Sequence, residues 1–259
     1  LATASDDKTL RLWDAPTAET LVEFRGHDNF VFCADQHYSL LCSGSFDETV
    51  KLWDIRSGDC ISTLPAHSDT VTAVSFNGDG TTVCSASHDG LIRIWDVATG
   101  ECLKTIYAAK NPPVGHINYS PNGKFVLANT LDSTLRLWPV NKVGSQQCSK
   151  TYRDNEAKPR FVNTKYSVQS CFLPNGDIVT GNESNEVVIF DLQNRNVVDT
   201  LEGHEDAVLA VAAHERRGLI ASGGMTSNGN LPRDFSFPKS NSAPCTSDTH
   251  QSRIKPELT

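Results

Sequence analysis

No stretch of this 259-residue chain approaches the roughly 20 consecutive apolar residues that a bilayer crossing requires, which excludes a membrane-spanning helix. A surplus of positive charge is also missing. The 23 Lys and Arg against 31 Asp and Glu leave a net charge of −8, so phosphate backbones are not attracted and direct nucleic-acid binding is not expected. The eight cysteines form no Cys-x-x-Cys pair and no zinc-type Cys/His spacing, so no metal site is expected. There is no Gly-x-Ser-x-Gly elbow, no His-Glu-x-x-His and no phosphate-binding glycine loop. Gly123-Lys124 has Asn118 where such a loop needs its first glycine, and it reads as a hairpin turn. No catalytic residue and no cofactor follow from the sequence. Leu1 to Asp7 lacks the basic start and apolar core of a secretory signal and reads as a strand already under way, so the expectation is that the true beginning is missing.

What is present is a repeat. All four tryptophans, Trp13, Trp53, Trp95 and Trp138, recur at a period just above 40 residues. Three lie in near-identical strings, Thr9 to Asp14, Thr49 to Asp54 and Leu91 to Asp96; Thr134 to Pro139 replaces the Asp, and Val187 to Asp191 replaces the Trp. Each string alternates apolar and polar residues at period two, the mark of a strand with one buried face. Asn77-Gly78-Asp79-Gly80, Pro121-Asn122-Gly123 and Pro174-Asn175-Gly176 supply hairpin turns. Cys42 and Cys84, like Cys60 and Cys102, keep the same spacing and read as small buried repeat-slot residues in a reducing compartment.

Units of four short antiparallel strands cannot bury their faces alone, so neighbours must stack radially. The expected fold is an all-β propeller over residues 1–224. Its strand count gives three strands, four full blades and two further strands, part of a seven-bladed ring truncated at both ends. Residues 225–259, rich in Gly, Pro, Ser, Asn and Lys, are expected to be a disordered or non-native tail.

With Gly26-His27, Ala66-His67 and Gly203-His204 in the Gly-His slot, the chain resembles the WD-repeat family over roughly residues 1–224. That resemblance implies a buried hydrogen-bonded set in each blade, here His27, Ser43, Asp47 and Trp53, then His67, Ser85, Asp89 and Trp95. Asp, His and Ser in this order look like a hydrolase triad, but recurrence in successive blades favours a structural network. Propellers present partner sites on loops at the channel mouth. The residue before each turn Asp should face it: Asp6, Phe46, His88 and Leu131, with Glu183 in the fifth blade.

Longer strings narrow the resemblance. Ser5 to Leu10, Gly26 to Cys33, Ser43 to Glu48, Leu64 to Asp69, Asn111 to Val114 and Ser120 to Lys124 look like the WD-repeat subunit of COMPASS-type histone lysine methyltransferase complexes. That resemblance implies a nuclear, non-enzymatic scaffold, with the cytoplasm as second choice. Its partners would be the methyltransferase catalytic subunit, other complex subunits and a histone tail. It also implies a mouth that clamps an arginine between two phenylalanines, lined here by Phe32, Asp6, Phe46, Thr72, His88, Tyr166 and Gln169. This chain departs from the family pattern in that Thr72 replaces Ser, His88 replaces a frequent Tyr and Gln169 replaces the second Phe. A cleft on the opposite face is implied at Asn122, Phe125, Leu137, Phe172 and Gln193. Two alternatives stand beside this reading. Leu41 to Arg56 also looks like the box by which WD-repeat substrate receptors dock on a cullin ubiquitin ligase adaptor, and a generic scaffold in signalling or RNA processing fits the repeat alone.

Overall fold

The computed structural model describes residues 1–141, 147–154, 160–214 and 219–225, and every regular element among them is a strand. The first sheet is β1 (Ala2–Ala4), β2 (Thr9–Trp13) and β3 (Thr20–Arg25). The second is β4 (Val31–His37), β5 (Leu40–Ser45), β6 (Thr49–Asp54) and β7 (Cys60–Pro65). The third is β8 (Val71–Phe76), β9 (Thr82–Ser87), β10 (Leu91–Asp96) and β11 (Cys102–Tyr107). The fourth is β12 (Val114–Tyr119), β13 (Phe125–Thr130), β14 (Thr134–Pro139) and β15 (Lys150–Tyr152). The fifth is β16 (Ser170–Phe172), β17 (Ile178–Thr180), β18 (Val187–Phe190) and β19 (Val197–Leu201), and β20 (Val208–Ala213) pairs with β21 (Ile220–Gly224) in the last. All are antiparallel meanders, and the count of three strands, four sheets of four and two strands is the one the repeat predicts. The stretch from residue 226 onward, expected to be a tail, lies outside the described residues.

The core sits between sheets. Val50 and Leu52 of the second sheet pack with Phe76, Val83 and Trp95 of the third. Ile92 and Ile94 of the third pack with Val126 and Trp138 of the fourth, and Leu135 and Leu137 of the fourth with Val188 and Phe190 of the fifth. Each such side chain contributes roughly 1.5–3 kcal/mol by leaving water, and it does so only because a neighbouring sheet is there to cover it. Successive first strands β4, β8, β12, β16 and β20 pack on one another, so they line the central axis. The approach is close at Gly44, where an added Cβ would lie 2.5 Å from Val71 Cγ1 and 2.7 Å from Cys33 Sγ.

A bulge recurs in these inner strands. The pairing skips Phe32 between Val31 and Cys33, Thr72 between Val71 and Ala73, and Gly115 between Val114 and His116. The extra residue takes Phe32 and Thr72 out of the regular alternation and toward the channel.

Across the second sheet runs a hydrogen-bonded chain. Trp53 Nε1 donates to Ser43 Oγ at 2.8 Å, Ser43 Oγ lies 2.7 Å from His27 Nε2, and His27 Nδ1 lies 2.8 Å from Asp47 Oδ2. Burial holds the His27 imidazole below its ordinary 6.5, so the ring is neutral. Nδ1–H then donates to the carboxylate and Nε2 accepts the Ser43 hydroxyl. Burial pushes the Asp47 carboxyl up, but hydrogen bonds from Thr49, His27 and the Asp28 backbone outweigh it and hold the group below its ordinary 3.8. The third sheet repeats the chain: Trp95 to Ser85 at 2.9 Å, Ser85 to His67 at 2.8 Å, His67 to Asp89 at 3.0 Å.

The fourth and fifth sheets have neither serine nor histidine at these places, and asparagines join them instead. Asn163 Nδ2 donates to Asn129 Oδ1 at 2.7 Å, and Asn129 Nδ2 donates to Val168 O at 2.9 Å. The Val162 N–H donates to Asn182 Oδ1 at 2.8 Å.

Ser85→Ala leaves the Trp95 N–H and the His67 lone pair buried without partners. A loss of about 1–3 kcal/mol in urea unfolding is expected, and an unchanged midpoint would contradict the network. The pH dependence has a fixed sign. His27 is held below 6.5 and Asp47 and Asp89 below 3.8, so all three stabilise the fold at neutral pH and lose that contribution on acidification. The histidine contribution fades first, as the pH falls below 6.5, and the carboxylate contributions fade below 3.8. The thermal midpoint should therefore drop between about pH 7 and about pH 3; a rise across that window would contradict the assignment.

Candidate functional site

Two concave surfaces lie at opposite ends of the inner strands. β12 begins at the channel with Gly115 and His116 and ends at the 120–124 turn, which belongs to the second surface.

At the channel end, Phe32, Phe46, Thr72, His88 and Gln169 line one cavity of about 570 Å³. Phe32 and Thr72 reach it because they occupy the bulges of β4 and β8. The rings of Phe32 and Phe46 stand 6.3 Å apart at 39°, and Phe30 packs edge-on against Phe46 at 6.4 Å. Phe32 and Phe46 remain 51% and 49% exposed, an aromatic shelf with free faces. Thr72 is committed, its hydroxyl donating to Val114 O at 2.7 Å.

Asp6 and Tyr166 are not among the residues lining this cavity. Asp6 is exposed beside the first sheet, and the Tyr166 ring is capped by Lys165 Nζ at 4.7 Å. Glu183 folds back on the same loop, accepting the backbone N–H groups of Thr164 at 2.9 Å and Tyr166 at 2.9 Å. Burial raises its pKa, and the N–H bonds from Tyr166, Lys165 and Thr164 outweigh that and lower it.

Two channel groups were not singled out from the sequence. His116 is a β12 residue whose Nδ1 accepts the Ser170 N–H at 3.3 Å, which leaves the proton on Nε2. Burial brings its pKa down to about 4, so it carries no charge at neutral pH. Cys33 lies on β4, with burial pushing its thiol up to about 12. The bulge that brings Phe32 inward also sets these neighbours, and no residue pattern announces it.

At the other end, Asn122, Phe125, Leu137, Phe172 and Gln193 all line a second cavity of about 830 Å³ between the fourth and fifth sheets. Leu137 is buried in its floor, while Phe125 and Phe172 are half-buried on its walls. Asn122 also holds its own turn, its Oδ1 accepting the Ser120 hydroxyl at 2.7 Å and the Lys124 N–H at 3.1 Å. Lys150 is the residue that sequence reading missed: its Nζ donates to Leu192 O and to Gln193 Oε1, both at 2.8 Å, and so fixes the Gln193 side chain at the rim. Its separation of 43 residues from Gln193 is the repeat period, the one signal available for it. Of the Leu41 to Arg56 box, Trp53 is fully buried and Arg56 is exposed. Among the described residues no three His, Cys, Asp or Glu groups come together as a metal site.

Comparison with known proteins gives a consistent picture. Residues 1–231 match the family model described as the WDR5 beta-propeller domain. The chain is similar to the small ribosomal subunit protein RACK1 of Candida albicans, 35% identical over 208 residues, covering 77% of this chain and 60% of that protein. It is similar to pre-mRNA-processing factor 19 homolog 2 of Arabidopsis thaliana, 30% identical over 169 residues, with 64% and 30% covered. Retinoblastoma-binding-like protein E of Dictyostelium discoideum is 28% identical over 119 residues, with 44% and 21% covered. The chain thus spans 60% or less of each of these relatives' own length.

The thiols provide a check on this geometry. Cys42 and Cys84 are buried as the repeat predicts. Cys60 and Cys102, expected to be buried too, are exposed because they begin β7 and β11, the outermost strands of their sheets. Burial raises Cys33 to about 12 and holds Cys42 and Cys84 well above 9.0. Iodoacetamide followed by mass spectrometry should label Cys60 and Cys102 before Cys33, Cys42 and Cys84. Equal labelling of Cys33, Cys42 and Cys84 in the folded protein would contradict the placement.

Proposed function

The chain belongs to the WDR5-type family of WD-repeat β-propellers, and from that membership we propose that it is a non-enzymatic subunit of a COMPASS-type histone methyltransferase complex. It acts in the nucleus by holding other subunits together. The observation that carries this reading is the second cavity: the five residues that the sequence resemblance assigned to a partner cleft, drawn from two sheets and from positions 122 to 193, line one concavity of about 830 Å³. Phe125, Phe172 and Leu137 supply its apolar surface and Asn122 and Gln193 its polar rim, the composition of a small protein-docking site. The channel mouth takes a second partner through an arginine. The free faces of Phe32 and Phe46 attract a cation by about 0.5–2 kcal/mol, and the cavity lining holds no Lys or Arg to repel it.

A cullin adaptor reading rests on Arg56 alone, because the rest of that box coincides with strands β5 and β6 of the ordinary repeat. Pull-down of the purified chain against both subunit sets separates the two. Methyltransferase subunits should be retained, and Phe172→Ala should weaken retention of the cleft partner about tenfold or more. Retention of a cullin adaptor instead, lost in Arg56→Ala and indifferent to Phe172→Ala, would replace this reading with the ligase one.

A further inference from the structure

The indole brace is missing from one blade, and a cavity stands beside the place it leaves. Trp13 donates its N–H to Thr3 Oγ1 at 2.8 Å, as Trp53 and Trp95 donate to Ser43 and Ser85. Trp138 of the fourth sheet is only 4% exposed, yet its N–H donates to none of the described residues. The register gives the reason. Ser43 pairs with Lys51 and Ser85 with Arg93, whereas the residue that pairs with Arg136 is Ala128, which has no hydroxyl. His27 and His67 each stand four residues before the strand that opens their sheet, and Lys110 holds that place before β12. An N–H largely withdrawn from water and lacking an acceptor favours a ligand that brings one.

Trp138 lines a cavity of about 930 Å³ between the third and fourth sheets. Tyr107 and Lys110 enter it from the end of β11 and the segment that follows, and Arg136 and Arg153 from β14 and from just beyond β15. Three cations face two carboxylates there, in a chain whose net charge is −8. Both carboxylates are engaged. Asp132 accepts from Thr130 Oγ1 at 2.7 Å and from Arg136 Nη2 at 2.5 Å, and Asp154 pairs with Arg160, which is outside the lining. Lys110 and Arg153 are exposed and bond to none of the described residues.

Two uncompensated cations and one free N–H donor fit a group with several acceptor oxygens and a charge of roughly −2, which a phosphoryl group carries and a carboxylate does not. The cavity has far more room than that group alone needs, and Tyr107, 40% exposed, offers an apolar face to whatever carries it. Neither of the other two concavities competes for such a ligand. The channel lining holds no Lys or Arg, and the one lysine of the cleft is held by Leu192 and Gln193.

We propose that this cavity binds a phosphorylated segment of a partner protein, with Lys110 and Arg153 pairing with the phosphoryl group and the Trp138 N–H donating to one of its oxygens.

The chain has four tryptophans, so its indole N–H groups give four signals in the isotopically labelled protein, and Trp138→Phe identifies one of them. A capped Ala-Ala-phosphoserine-Ala-Ala peptide should move the Trp138 signal saturably, and the unphosphorylated peptide should not. Lys110→Gln and Arg153→Gln, at exposed positions where folding is not at stake, should each lower affinity about tenfold. Phe32→Ala and Phe172→Ala, in the other two concavities, should leave it unchanged. A Trp138 signal that does not respond, or a response that survives both charge substitutions, would overturn the inference. Inorganic phosphate binding as tightly as the phosphopeptide would overturn it in favour of a free anion, and a short oligoribonucleotide binding more tightly would overturn it in favour of nucleic acid.

Discussion

Each sheet of this molecule has two faces to bury and only a neighbouring sheet to bury them against, and everything else follows from that constraint. Val50 and Leu52 are covered only because Phe76 and Trp95 stand opposite them, so the sheets must stack side by side around an axis. The inner strands then come so close that Gly44 has no room for a side chain beyond hydrogen. The indole, hydroxyl, imidazole and carboxylate chain of the second and third sheets ties the two middle strands to the loop before the first strand and to the turn between them. It is built of the same groups as a hydrolytic triad. Its Ser43 and Ser85 hydroxyls are fully buried and each accepts a tryptophan N–H, so the set works as a brace.

With the sheets interlocked, the two ends are where loops can differ. Turns can change there without disturbing the packing, and side chains from several blades meet. At one end the repeated bulge turns Phe32 and Thr72 toward the channel. At the other, the 120–124 turn and the residues after β18 frame a groove between the fourth and fifth sheets. The cavities at the two ends share no lining residue.

Much of this was legible in the residues. The tryptophan spacing and the period-two strings gave the strand order and number, because an alternating pattern repeated at one interval has few packed solutions. The cleft residues were named by the resemblance to the COMPASS-type subunit and not by the repeat itself; all five line one concavity. The mouth was only partly legible. Asp6 and Tyr166 were expected there, and the structure places both outside the cavity lining, since the loop carrying Tyr166 is drawn back onto the Glu183 carboxylate. His116 and Cys33 were missed because a bulge leaves no mark in the residue types. The bond from Asn163 to Asn129 and the bond from the Val162 backbone to Asn182 were missed for a different reason: the partners lie 34 and 20 residues apart, in or beside irregular segments, where neither period applies.

The central proposal is that one propeller carries two separate docking sites. It is tested most directly by titrating a capped Ala-Arg-Ala peptide into the chain alone and into the chain saturated with the methyltransferase subunit proposed for the cleft. The account predicts the same dissociation constant in both, within about twofold, and a ternary complex. Displacement of one ligand by the other, or loss of peptide binding on saturation of the cleft, would contradict it.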